Sequence, residues 1–304
     1  MRIHFDNVNF SSNSGPNSFG FRLAEELTKM GHEIVDYTKP YDIFLCFIEQ
    51  TKEAYPIARK VLRLDGIWFK PEDFEERNIR IKQAYFSFGH VIFQSEFDKQ
   101  MVQAHFGERS DCSVIHNGIR QERVKPWARE NINKLCVSSA NWHRQKRLKE
   151  NILLFREIQK EHPDSVLVIL GGGDIRDVEH MFGDGVIYAG QRSHADCLSI
   201  YSAADFFIHL AWLDHCPNVV VEALSQGCPV ICSDSGGTKE IVQNNGIIVP
   251  EKTKYNYELL DYDSPYELDV SGFKLPEEKI EAHPEYLDIR SVAERYVEIF
   301  EKNV

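Results

Sequence analysis

Two acids eight positions apart, Asp214 and Glu222, bracket Pro217, Asn218 and Val219. Proline is favoured at the first turn of a helix, so a helix is expected to start there. The backbone N–H groups near Asn218, Val219 and Val220 then lack helical acceptors and can face an anion. Asn218 and Glu222 are four apart and share one helix face. Asp214 sits in the loop just ahead. Such a place suits a ligand carrying both hydroxyls and a phosphate. A second group is cationic: Arg144, Lys146 and Arg147 follow Asn141, Trp142 and His143 in one short run. Cations in a loop between strand and helix can neutralise a departing diphosphate. On spacing alone each group also reads as charged side chains solvated beside an ordinary α/β turn. Trp142 reads as packing.

The elements that must hold these residues follow from pattern. Residues 206–210 are apolar and short enough for a buried strand. The helix after Pro217 runs to about Gln226 and stops at Gly227. A second apolar strand covers 228–232, and Ser235, Gly236 and Gly237 turn the chain into another helix. Upstream, 134–139 is a strand, the cationic loop follows, and a helix continues to about 162. Residues 165–170 form a strand that ends in Gly171, Gly172 and Gly173, where the backbone can approach a ligand closely. This is not a full GxGxxG, so a dinucleotide site is poorly supported. Residues 186–189 form a strand ending in Gly190, Gln191 and Arg192. The first half alternates in the same way. Strands are expected at 2–5, 33–37, 42–47, 60–64, 90–93 and 113–115, with helices at 18–29, 75–88 and 95–105. Gly15 lies in a polar loop at the first helix start, and Asp65 at the end of a strand, where ligands sit in α/β sheets. Residues 120–133 carry Pro126 and no period, and read as a linker.

The run Asp214, seven residues, Glu222, followed by Gly227-Cys228-Pro229-Val230, resembles the acid-x7-acid motif of retaining glycosyltransferases of family 4. Asp214 stands where the family usually has Glu, one methylene longer. The opening strand–loop–helix, through Lys29-Met30-Gly31-His32-Glu33, is similar to the family's N-terminal segment, whose first loop, here with Gly15, borders the donor phosphates or the acceptor. The resemblance covers roughly 1–250 plus the final helix. It implies an α/β fold of the GT-B type, two Rossmann-like domains facing each other across a cleft. The expected domains are 1–125 on the acceptor side, 133–285 on the nucleotide-sugar side, and a C-terminal helix at 286–304 packing back on the first. The implied activity moves a sugar from a nucleoside diphosphate-sugar to an acceptor hydroxyl, on a glycan, lipid or other molecule, with retention and without a metal or other cofactor. By that likeness Lys146, Arg144, Asp214 and Asp65 are the catalytic candidates. Gly15, Asn141, Arg147, Gly172, Gln191, Pro217, Asn218, Val219 and Glu222 are the donor-binding candidates. The family's Arg falls on Asn141, so Arg144 or Arg147 must take that part. Two other readings stay open: a different GT-B enzyme, such as a nucleotide-sugar epimerase, and a non-catalytic nucleotide-sugar-binding protein.

Composition sets the outer bounds. The 304 residues are 42% hydrophobic, enough for two modest cores. The net charge is −12, and the acidic excess falls almost wholly after residue 130. Nucleic acid is therefore an unsuited partner, because phosphate binding needs a basic face. Seven cysteines make an odd number with no CxxC pair, which fits a reducing compartment, and a cytoplasmic location is expected. No apolar run reaches transmembrane length, and 1–6 reads as a first strand rather than a signal peptide. Residues 251–285 are acidic and contain Asp261-Tyr262-Asp263. That triplet matches the metal-binding DxD of the other glycosyltransferase fold, but it lies away from any strand end, so no metal site is expected. The last helix places Val292, Ala293, Tyr296, Val297 and Phe300 on one stripe.

Overall fold

The computed structural model describes residues 1–12 and 14–302. The chain divides into two compact units. Unit 1 holds residues 1–120, 256–260 and 285–304; unit 2 holds 121–255 and 261–284.

In unit 1 the elements run β1 (Arg2–Asp6), α1 (Gly15–Lys29), β2 (Glu33–Ile34), β3 (Ile43–Phe47), β4 (Arg59–Leu64), α2 (Pro71–Arg77), α3 (Ile79–Ser87), β5 (His90–Phe93), α4 (Glu96–Phe106) and β6 (Cys112–Val114). The strands form one parallel sheet in the order β2-β1-β3-β4-β5-β6. The central strand β3 is apolar throughout, as expected of a parallel strand covered on both faces. β3 is buried at every position. The strand order reverses between β1 and β3, and α1 begins just past that point.

Unit 2 runs β7 (Leu135–Ser139), a short 3-10 turn (Arg144–Lys146), α5 (Leu148–Glu161), β8 (Val166–Leu170), β9 (Val186–Gly190), α6 (His194–Ala203), β10 (Phe206–His209), α7 (Asn218–Ser225), β11 (Val230–Ser233), α8 (Thr238–Val242) and β12 (Gly246–Val249). Its sheet is also parallel, in the order β12-β11-β10-β7-β8-β9. Counted within the unit this is the 3-2-1-4-5-6 order of a doubly wound sheet. Its switch point falls between β7 and β10.

The final helix, α9 (Ile289–Glu301), belongs to unit 1. Its Ile289, Val292, Ala293, Tyr296, Ile299 and Phe300 are buried in the same cluster as Phe19, Leu23 and Leu27 of α1. Burying such a side chain is worth about 1.5–3 kcal/mol, so α9 is part of this core. Asp288 caps it by accepting from the Arg290 N–H.

Three local expectations change. The helix expected at 75–88 is two helices. Buried Asn78 separates them, donating to the carbonyls of Trp68 and Phe74 and accepting from the Trp68 N–H. The strand expected at 33–37 keeps only two residues. The segment 120–133 carries no strand or helix, yet it is tied down within unit 2: Val124 N–H donates to Gln226, Trp127 N–H to the Ser199 carbonyl, and Arg129 pairs with Asp205. All seven cysteines are free thiols, five of them buried. Among the described residues no helix is long and apolar enough to cross a membrane.

Candidate active site

The switch point of unit 2 brings the two chemical groups together. Lys146 arrives on the 3-10 turn after β7, and Asp214 in the loop after β10. Lys146 Nζ donates to Asp214 Oδ2 in an ion pair. His209, the last residue of β10, places Nε2 3.2 Å from the same oxygen. The His209 side chain is 3% exposed and that of Asp214 13%. Burial pushes Asp214 towards the neutral acid, but the Lys146 charge and the His209 hydrogen bond outweigh it and hold the carboxyl well below the ordinary carboxylate range. Burial lowers the pKa of His209 against the pull of Asp214. The pair is therefore carboxylate and neutral imidazole near neutral pH, with Nε2–H as the donor. Both bonds go to Oδ2, and among the described residues none reaches Oδ1.

The backbone around this cluster is fixed from several sides. Asn151 on α5 donates to the Lys146 carbonyl and accepts from the Leu210 N–H, so one buried amide ties the two loops. Trp212 N–H donates to the Gln145 carbonyl, and Leu213 N–H to Ser235 Oγ. Leu213 has φ +54°, a strained region for a branched side chain. The glycine turn explains how it is held. A Cβ on Gly236 would lie 2.8 Å from the Asp214 nitrogen, and Gly237 N–H donates to the Asp214 carbonyl at 2.7 Å. The turn at 235–237 is thus a clamp on the Asp214 loop.

Glu222 and Asn218 lie on α7, and Pro217 is the residue before its first turn. Glu222 is buried, and its carboxylate comes 3.4 Å from His194 Nε2 at the start of α6. Asn218 and Val219 are half-buried.

The other expected donor residues fall into two kinds. Gly172 and Gln191 do meet: a Cβ on Gly172 would stand 2.8 Å from Gln191 Nε2. The flanking glycines have another reason. Gly171 (φ +101°) lies against the Ala140 backbone, and Gly173 (φ +122°) against that of Trp142, where the chains pair. Only the middle glycine remains for a ligand. Trp142 is buried and donates Nε1–H to the Leu170 carbonyl. Asn141 is exposed. Arg144 is 74% exposed and only 4.0 Å from Asp177, so it is a solvated cation. Arg147, expected at the donor, is placed elsewhere. Its side chain is wholly buried, paired with Glu251 at 2.5 Å, and bonded to the Tyr266 carbonyl. It pins the acidic segment to the core, where its charge is already met.

Unit 1 has its own polar cluster along the carboxyl edge of its sheet. Arg63, 1% exposed on β4, lies against both the Phe19 and Phe47 rings, at 4.6 and 4.9 Å, and donates to Asn117. It also pairs with Asp65. Asp65 therefore keeps its place at the strand end as a carboxylate held by a buried guanidinium. Gly15 is the first residue of α1, with Pro16 beside it. Asp6, at the end of β1, accepts from the Thr51 N–H at 2.7 Å.

His209, Asn151, Arg63 and Glu251 carried no role in the sequence reading. His209 and Arg63 had a signal: each is a polar residue at or near the end of an apolar strand. Glu251 and Asn151 had none that spacing reveals. Asp261 closes its own turn, its carboxylate accepting from the Asp263 N–H at 3.1 Å. Among the described residues no group of three His, Cys, Asp or Glu side chains is arranged to hold a metal.

Comparison with known proteins meets this geometry in unit 2. Residues 120–258 match the family model Glycosyl transferases group 1. That segment is similar to a Glycosyl transferases group 1 domain. The match spans both the Lys146 loop and the Asp214–Glu222 run. Over 267 residues the chain is 24% identical to YtcC of Bacillus subtilis (strain 168), covering 76% of this chain and 63% of that protein. It is 27% identical over 158 residues to a GDP-mannose-dependent alpha-mannosyltransferase of Mycobacterium tuberculosis (strain CDC 1551 / Oshkosh), covering 45% of this chain and 41% of the relative. The chain thus spans less than two thirds of the length of these relatives. Among solved structures, Anabaena Alr3699/HepE in complex with UDP and glucose aligns with TM-score 0.62 at 17% identity, over 99% of this chain and 98% of that one. The fold is that of the GT-B glycosyltransferases.

Proposed function

We propose that this chain is a glycosyltransferase that moves a sugar from a nucleoside diphosphate-sugar to an acceptor hydroxyl, with retention of configuration and without a catalytic metal. The observation that supports this most is the meeting of Lys146 and Asp214 at the switch point, with Glu222 on the adjoining helix. A nucleoside diphosphate-sugar needs a cation for the diphosphate, a carboxylate for the sugar hydroxyls and another for the ribose. One edge of one sheet offers all three.

In this reading Lys146, with three N–H donors and one spent on Asp214, meets the diphosphate with the others. The N–H groups at the start of α7 add to that, behind Pro217 and around Asn218 and Val219. Glu222 takes the ribose hydroxyls. Asp214 takes a hydroxyl of the transferred sugar. The base lies along Gly172 and Gln191. Arg144 is free to swing towards the phosphates, and Asn141 lines the same loop. Within unit 1, Gly15 and Asp65 are the candidates, Asp65 for an acceptor hydroxyl. The bond from the anomeric carbon to the phosphate oxygen breaks, and a bond to the acceptor oxygen forms on the same face. The acceptor proton passes to the departing diphosphate. Catalysis then rests on positioning and charge neutralisation. The names of the relatives, one bound to UDP and glucose and one dependent on GDP-mannose, support a nucleoside diphosphate-sugar donor.

The test is a transfer assay with UDP-, GDP-, ADP- and dTDP-sugars, in EDTA, with the product anomer read by proton NMR. Nucleoside diphosphate release with a product of the donor's own anomeric configuration is expected. An inverted product, or activity lost in EDTA and restored by Mg²⁺ or Mn²⁺, would overturn the proposal.

A further inference from the structure

Asp214 is one methylene shorter than the glutamate that such a position usually carries, and its loop is clamped, so it cannot move freely to make up the reach. Its carboxylate is instead aimed. Lys146 and His209 both hold Oδ2, and the Gly236–Gly237 clamp fixes the backbone of the same residue. With Oδ2 held twice and Oδ1 met by no described residue, the carboxyl plane has one orientation and one open acceptor. His209 cannot itself touch a ligand at the surface, because it is buried at the end of β10.

We infer that His209 is a positioning residue, which turns the short Asp214 side chain so that Oδ1 is presented to a hydroxyl of the transferred sugar. The inference rests on the proposed function and deepens it, since it gives the sugar hydroxyl a defined acceptor atom. Lys146 alone does not suffice for this orientation. Its chain is flexible and its other donors face the diphosphate, whereas the imidazole is rigid and buried. The arrangement also makes His209 and Asp214 one unit. A glutamate at 214 would carry its carboxylate past the point where His209 Nε2 reaches it, and a smaller residue at 209 would leave room for the longer chain.

The experiment compares His209→Leu, His209→Gln, His209→Ala, and the double variant His209→Ala with Asp214→Glu in the intact chain. Each is measured for transfer and, by calorimetry, for binding of the bare nucleoside diphosphate. Gln keeps an N–H donor close to the place of Nε2; Leu keeps the bulk and loses the donor. His209→Leu is expected to lower kcat about tenfold to hundredfold, the effect of one hydrogen bond to a charged group. Affinity for the bare nucleoside diphosphate should stay at the wild-type value. His209→Gln should recover most of the loss, and the double variant should exceed His209→Ala alone. If Gln is as impaired as Leu, or if both bind the bare diphosphate poorly, His209 only fills space and the inference is wrong. If His209→Leu does not fold, His209→Ala replaces it: His209→Gln and the double variant must both exceed His209→Ala, and if neither does the inference is wrong. A wild-type chain that neither binds nor transfers from any nucleotide-sugar sinks the proposed function and this inference together. A wild-type chain that transfers while His209→Leu equals it sinks only this inference.

Discussion

Replacing Lys146 by methionine keeps most of the length of the side chain and removes its charge. Asp214 would then be a carboxylate with 13% of its side chain exposed and only His209 as partner. Removing one member of a buried pair costs about 3–5 kcal/mol, because the other charge stays behind. Here both side chains keep some contact with solvent and the His209 bond remains, so a loss of about 2–3 kcal/mol is expected. The pH dependence fixes the cause. In the wild type the Asp214 pKa is depressed by Lys146 and His209. A depressed carboxyl contributes stability that is present above its unfolded pKa, about 3.9, and lost as pH falls through the lower folded value. In Lys146→Met the Lys146 charge no longer offsets burial, and the carboxyl pKa rises towards its unfolded value. The stability gap between wild type and variant should therefore be largest above about pH 5 and shrink towards pH 3. Urea titrations at several pH values measure this gap. A gap unchanged from pH 7 down to the start of acid unfolding would refute the argument that the ion pair sets the state of Asp214. In catalysis the same change should lower kcat by about 10²–10³, on the scale of one oxyanion donor.

Arg147→Ala should destabilise unit 2 by about 3–5 kcal/mol by leaving Glu251 buried and unpaired, and Arg147→Met with Glu251→Leu should recover much of it; thermal melts check both. Arg144→Ala, at an exposed side chain, should leave stability unchanged in the same melts, while any effect it has on transfer appears in kcat. Gly171→Ala should be strongly destabilising, since its φ of +101° and the Ala140 backbone beside it both exclude a Cβ, whereas Gly172→Ala should fold and weaken nucleotide binding; melts and calorimetry separate the two.

Much of this site is legible in the sequence because it is local. Lys146 sits in a loop between a strand and a helix, and Asp214 and Glu222 share one strand–loop–helix stretch. The alternation of elements fixes both as strand-end positions, and such positions converge at a switch point. What the sequence hides are side-chain contacts made outside a single strand or helix. Arg147 reads as one more cation beside Lys146, yet its left-handed backbone, φ +51°, turns it inward to Glu251, more than a hundred residues on. His209 reads as the last residue of a buried strand, and nothing local says that its ring reaches back to Asp214. Gly171, Gly172 and Gly173 read as one ligand loop, but two of the three are needed for backbone packing. The break at Asn78 was hidden for the same reason, because its partner Trp68 lies outside the helix.

The division of labour between the two acids is the most direct test of the whole account. Calorimetric titration of Glu222→Gln and Asp214→Asn, with the bare nucleoside diphosphate and with the nucleotide-sugar, decides it. Glu222→Gln should weaken both ligands by about 1.5–3 kcal/mol, the contribution of a charged hydrogen bond to ribose. Asp214→Asn should leave the bare diphosphate bound nearly as in the wild type and lose affinity and transfer only with the sugar present. Equal losses for the bare diphosphate in both variants, or none in either, would contradict the assignment of Glu222 to the nucleoside and Asp214 to the transferred sugar.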